Sequence, residues 1–245
     1  VEPWLARETM QDNNNTSTVN QIHPALVSSS LLRGLTEGQA QALAAELTMV
    51  EFLPGMRIFG EGTLGGHLYV ICTGKVKISQ SVGTDAQRLK HLLGPGDLFG
   101  AAFELESGLH TATATATTGI TAAHIRYSRL NEWLVVAPNI EREILIELSG
   151  RAIEFHARRD ERHMLSVRSR LVKLFLLLGQ RFGREVGGAI SLKHHLDHSE
   201  LGDLIGADRQ AVHGAIAELI RFGVISRKRR GVNLLDPQVL AHLAD

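Results

Sequence analysis

The chain has 245 residues, 44% of them hydrophobic, and carries 26 basic and 26 acidic side chains. That length allows two domains, each with its own core, and that composition excludes wholesale disorder. A single cysteine, Cys72, excludes an intrachain disulfide and any zinc or iron–sulfur site built from four cysteines of one chain.

Residues 1–27 read as a flexible tail. Its first part holds Asn13, Asn14, Asn15 and several threonines without a sustained period, with Trp4 and Leu5 as isolated apolar residues. No signal-peptide pattern and no run long enough to span a membrane is evident, so a cytoplasmic protein with no membrane partner is expected. Thr36 and Gln39 have capping-box spacing ahead of Ala40, Leu43, Ala44 and Leu47, which predicts a helix over 36–47. From Glu51 to Ile125, glycine turns separate short strands, placed at 56–59, 67–72, 75–80, 89–92, 111–117 and 120–126. Regular turns between short strands suggest an antiparallel sandwich or roll. Cys72 falls in one of these strands between apolar neighbours, as a buried, inert thiol does.

Pro138 opens a long helical pattern to about Met164, whose apolar seam is Leu145, Leu148, Ala152 and Phe155. Steps of three and four residues suit a helix packed on a partner helix, so these residues are the expected dimer interface. The alternative is a helix lying on the β domain. A second helix follows over 166–181, with Leu171, Leu174, Phe175 and Leu178 on one side. Residues 183–198 read as a connector with a short strand at 189–193.

The stretch 199–235 is the most informative. Ser199 begins a short helix with Leu201, Leu204 and Ile205 apolar, Gly206 stops it, and Asp208 can cap the next. That second helix places Val212, Ile216, Leu219 and Ile220 inward, leaving Gln210, His213, Ala217 and Arg221 on the opposite side. Two helices joined by a three-residue turn containing glycine form a helix-turn-helix, whose second helix enters the DNA major groove. Arg227, Lys228, Arg229 and Arg230 follow, with Gly231 expected to turn the chain; such a basic hairpin suits phosphates. Residues 165–245 carry 12 Lys/Arg against 8 Asp/Glu, so the zero net charge hides a basic end and an equally acidic remainder.

The segments PGMRIFGEGTLGGHLYVICTGKVKI (54–78), GPGDLFG (94–100) and ELGDLIGADRQAVHGAIAELIRFGVI (200–225) resemble the cyclic-AMP receptor protein family, which includes the fumarate–nitrate reduction regulators. The likeness covers about residues 28–237. It implies an α+β protein: an N-terminal antiparallel β-roll of the cyclic-nucleotide-binding type (28–137), a dimerisation helix (138–164) and a C-terminal winged helix-turn-helix (165–245). It also implies a homodimer on double-stranded DNA, reading a pseudo-palindromic site with recognition helices about 34 Å apart. RNA polymerase and a small-molecule effector would be further partners.

Within that resemblance the nucleotide pocket is degenerate. Family members that bind cyclic AMP hold the ribose with Gly-Glu and the phosphate with Arg-Ser or Arg-Thr. The matching pairs here are Gly100-Ala101 and His110-Thr111, and the adenine-contacting Thr-Ser becomes Phe155-His156. The pocket expected from Ala101, Phe103, His110, Thr111, Thr113 and Phe155 lacks the bidentate phosphate partner, so weak or altered cyclic-AMP binding is expected. His67, His110, His124 and His156 are the histidines a haem would need, although lone histidines are more often structural, and haem is not the favoured reading. His194, His195 and His198 invite a metal reading that no carboxylate or cysteine completes; no metal is expected.

The resemblance assigns base reading to Arg209, whose fork fits guanine O6 and N7, and to Gln210 where the family has glutamate. A further family arginine falls at Gly214; His213 beside it, and Arg221, are the remaining candidates on the reader helix. Arg227, Lys228, Arg229 and Arg230 would hold phosphates from the wing. No catalytic constellation appears at convincing spacing, so an enzyme is not expected. The alternatives are a nucleoid-associated or constitutive DNA binder without an effector, and a cyclic-AMP or haem sensing module with a vestigial DNA domain.

Overall fold

The computed structural model describes residues 7–8, 22–83, 86–100 and 108–244. Trp4, Leu5 and the asparagine run lie outside them. The chain divides into two compact units: the second takes in the chain from Arg151 onward together with Arg88–Lys90, and the first the remainder.

The first unit opens with β1 (Arg7–Glu8), α1 (Pro24–Ser28), α2 (Glu37–Glu46), β2 (Thr48–Phe52), β3 (Arg57–Phe59), β4 (His67–Thr73) and β5 (Val76–Val82). It continues through β6 (Ala86–Leu93), β7 (Leu98–Gly100), β8 (Thr113–Ala116), β9 (Ile120–Arg126), α3 (Tyr127–Val136) and the start of α4 (Asn139–Met164). Structure thus begins within the expected tail: Arg7 pairs with Glu51, and Leu26 of α1 is buried. The predicted capping box of α2 forms, Thr36 accepting from the Gln39 N–H and Gln39 accepting in return.

Two antiparallel sheets result, in the orders β1-β2-β9-β4-β7 and β3-β8-β5-β6. Strand β4 is buried on both faces, and its alternation sorts the core. Leu68, Val70 and Cys72 pack with Leu43, Leu130 and Ile140 from the helices, whereas Ile71 packs with Val76 and Ala114 of the other sheet. Pro138 separates α3 from α4, as expected of a residue that disfavours helix just before itself. The first turns of α4 are fixed to this unit: Glu143 pairs with Arg33 at 3.0 Å, and Glu147 accepts from the Ser30 hydroxyl and the Leu98 N–H. Further along α4, Leu145, Ala152 and Phe155 are exposed and Leu148 is half-buried; Ile146 and Ile153, absent from the predicted seam, are exposed on a different side of the helix.

The second unit contains α5 (Val167–Phe182), β10 (Gly183–Val186), β11 (Ala189–Leu192), α6 (His198–Ile205), α7 (Arg209–Arg221), β12 (Ile225–Lys228), β13 (Gly231–Leu234) and α8 (Pro237–His242). Leu171, Leu174, Phe175 and Leu178 of α5 are all buried, as their spacing predicts. The segment expected to be a connector is a β-hairpin, and it pairs with the wing to give a sheet ordered β10-β11-β13-β12.

Candidate nucleic-acid interface and effector pocket

The two reader helices are defined by local hydrogen bonding. Helix α6 begins one residue earlier than predicted, because Asp197 and Glu200 form a capping box that satisfies two backbone donors. Gly206 ends it at φ +67°, the left-handed conformation that glycine adopts without a Cβ penalty. Asp208 then accepts the Ala211 N–H at 2.7 Å and starts α7. Val212, Ala215, Ile216 and Leu219 are buried, and Ile220 is half-buried rather than core.

Helix α5 holds both reader helices. Arg168 bonds Glu218 of α7 at 2.8 Å and lies over the Phe222 ring. The buried guanidinium of Arg170 donates to the carbonyl oxygens of Ile205 and Gly206, the latter at 3.1 Å. Those carbonyls belong to the C-terminal end of α6, where backbone acceptors lack intrahelical partners and the helix dipole favours a cation. Sequence reasoning missed Arg170; nothing local distinguishes it from a solvated arginine. On the outer face, Arg209, Gln210, His213 and Arg221 are exposed.

The wing departs from its predicted geometry. Gly231 does not turn the chain; it is the first residue of β13, and Arg230 takes the left-handed position at φ 60°. Glycine is required at 231 for another reason: a Cβ would overlap the Leu192 carbonyl oxygen and approach the Lys193 Cα at 2.9 Å. The Arg230 carbonyl accepts the N–H of His195, itself left-handed at φ 60°. Two strained non-glycine residues thus clasp the hairpin tip. Arg227, Arg229 and Arg230 are exposed, whereas Lys228 is half-buried and bonded to the Ser191 hydroxyl.

Between recognition helix and wing lies a cleft of about 500 Å³ bordered by Arg209, His213, Arg227, Lys228 and Arg230. His198, the first residue of α6, lines it too, its ring 5.4 Å from that of His213. Burial pushes the His198 pKa down, and His213, Arg209 and Arg227 add to that against the opposing pull of Asp197. His194 is buried, stacks on Phe175 and accepts the Leu196 N–H at Nδ1. Among the described residues, no group of three or more His, Cys, Asp or Glu side chains is arranged to hold a metal.

In the first unit, Gly100 is buried at φ +106°, and a Cβ there would overlap the His67 carbonyl oxygen. Ala101 and Phe103 lie outside the described residues. His110 is buried and lies flat on Phe59, with 3.7 Å between ring centroids and 6° between planes. Phe59 stacks in turn on Phe99, and Phe99 on Tyr69. Thr111 is exposed, while the buried Thr113 hydroxyl accepts the Glu61 N–H at 3.1 Å. The His67 and His124 rings meet edge to face beside Tyr69. Phe155 and His156 lie exposed on α4 in the second unit.

Comparison with known proteins agrees with both units. The cyclic nucleotide-binding domain family matches residues 49–135, and the Crp-like helix-turn-helix domain family matches residues 169–243. The chain is 31% identical over 219 residues to a CRP-like cAMP-activated global transcriptional regulator of Mycobacterium tuberculosis, covering 89% of this chain and 98% of that one. Among solved structures, FixK2 from Bradyrhizobium japonicum aligns with a TM-score of 0.70 at 20% identity, over 81% of this chain and 98% of its own. The c-di-GMP responsive global regulator CLP of Xanthomonas campestris aligns at 0.66 and 21% identity, over 81% and 99%. With the reader helices, the basic wing and the β-domain in this order, the chain belongs to the CRP/FNR family of bacterial DNA-binding transcription factors.

Proposed function

We propose that this regulator acts as a homodimer on a pseudo-palindromic promoter site in the cytoplasm and meets RNA polymerase there. In this reading Arg209 and Gln210 read bases, and His213 and Arg221 support them. Arg227, Arg229 and Arg230, with Lys228 behind them, hold phosphates. The observation that carries it is the exposed recognition face opening onto a cleft bordered by four cations, Arg209, Arg227, Lys228 and Arg230. The exposed apolar face of α4 supports the dimer. Leu145, Ala152 and Phe155, one face of the helix by their spacing, form an unburied stripe that a second copy of the same helix would cover.

Cyclic AMP binds weakly or in an altered pose. The position that the family gives to a phosphate-clamping arginine holds the His110 imidazole stacked on Phe59, which cannot make a bidentate contact to an anion. The aromatic stack of Phe59, Phe99 and Tyr69 also favours a second reading, a constitutive DNA binder that needs no effector. Gel shifts on a duplex enriched from random sequence, with and without cyclic AMP, separate the two. An effector-gated regulator binds only in the presence of its ligand, and a constitutive one binds equally in both lanes.

A further inference from the structure

We propose that His198 is a DNA-phosphate ligand that engages the backbone as an imidazolium, so that DNA binding takes up a proton. The inference rests on the DNA-binding reading above and names a residue and a linkage that it does not contain.

His198 is half-buried at the N-terminal end of α6, in the wall of the cleft between recognition helix and wing. Its ring faces that of His213, which stands on the exposed face of α7. From α7 the facing charge is Arg209; from β12 and the turn after it come Arg227, Lys228 and Arg230; from the residue before α6 comes Asp197. His194 lines the same cleft but uses its Nδ1 as an acceptor, which suits the neutral ring. His198 therefore sits among four cations and one carboxylate, in a place built for an anion and beside a second titratable ring.

That surrounding makes the free protein hold His198 neutral at physiological pH, since burial and neighbouring cations both disfavour a further charge. A phosphate seated in the cleft reverses the sign of the local field and favours the protonated ring. Binding then raises the His198 pKa from below its ordinary value toward or above it. By linkage, DNA affinity rises as pH falls through that interval, by up to about tenfold per pH unit for one proton taken up. A lysine or arginine at 198 would give a permanent charge and no such dependence.

The test measures affinity of the full chain for a mixed-sequence duplex of about 30 base pairs at low salt, where phosphate contacts dominate, at pH values from 6 to about 8.5. Wild-type protein is expected to bind several-fold more tightly at the acidic end. His198→Gln should flatten that slope, so that the affinity of the variant changes little between the two ends of the pH range. His198→Arg should bind tightly at every pH. His213→Gln, measured alongside, reports how much of the slope belongs to the neighbouring ring. A slope unchanged in His198→Gln overturns the proposal while leaving the DNA-binding reading intact. Absence of binding at every pH, with the fold intact by circular dichroism, overturns both.

Discussion

The imidazole of His110 lies parallel to the phenyl ring of Phe59, 3.7 Å from centroid to centroid, inside the β-domain. Its backbone is held at both ends as well, the N–H donating to Thr63 and the carbonyl accepting from Gly62. So fixed, His110 contributes to the packing of the β-domain. Losing a bidentate arginine contact removes about 1.5–3 kcal/mol of anion binding. Isothermal titration should therefore give a cyclic-AMP dissociation constant well above about 1 µM. Submicromolar binding in the ordinary pose would contradict this account of the pocket.

Arg170 ties α5 to the end of α6 through two carbonyl oxygens. Arg170→Ala leaves those acceptors without their charged donor and opens space beside Leu174. A loss of about 2–3 kcal/mol in unfolding free energy is expected, together with weaker DNA binding as α6 and α7 loosen. Urea unfolding monitored by circular dichroism checks the first part. A change below about 0.5 kcal/mol, the range of ordinary surface substitutions, would show that the contact does not hold the turn.

Two glycines of the reader should respond in opposite directions. Gly231→Ala forces a methyl group into the Leu192 carbonyl and should destabilise by about 2 kcal/mol or more while displacing the wing. Gly214 sits within α7 with nothing within 4 Å of a prospective Cβ. Gly214→Ala should stabilise by about 0.5–1 kcal/mol through helix propensity alone. Thermal melts of both variants against wild type decide the matter.

Burial pushes the Cys72 thiol pKa above its ordinary value. The folded state thus retains a proton that the unfolded chain releases. The contribution is fully present below the ordinary thiol pKa of about 8.5 and is lost as pH rises beyond it. Iodoacetamide at pH 8 should label native Cys72 far more slowly than the urea-unfolded thiol. Equal rates would show that the strand opens readily.

The reader was legible because its signals are local. Gly206, Asp208 and the spacing of Val212, Ile216 and Leu219 each specify a cap or a face within a few residues. The β-domain was legible as a class but not strand by strand. Strand β2 lies just before the glycine-rich region, and β7 has only three residues inside a glycine turn motif. Helix α3 was missed because Pro138 looked like a beginning rather than a break between two helices. The wing shows the limit most plainly. Glycine at 231 reads as a turn residue, yet it is fixed by the approach of Leu192, 39 residues earlier in the chain, and the turn falls to Arg230. Arg170 and His198 depend on neighbours distant in sequence, so no window around either residue reveals its role.

A two-fold pair of these reader helices is expected to recognise DNA by sequence, and rounds of binding selection from random duplexes with the full chain measure that recognition. The selection should enrich a pseudo-palindrome with half-sites about one helical turn apart. In the same selection, Arg209→Ala should lose preference at one base pair of each half-site, whereas wing variants should keep the motif and bind less at higher salt. Recovery of sequences without symmetry, or a preference unchanged by Arg209→Ala, would contradict it.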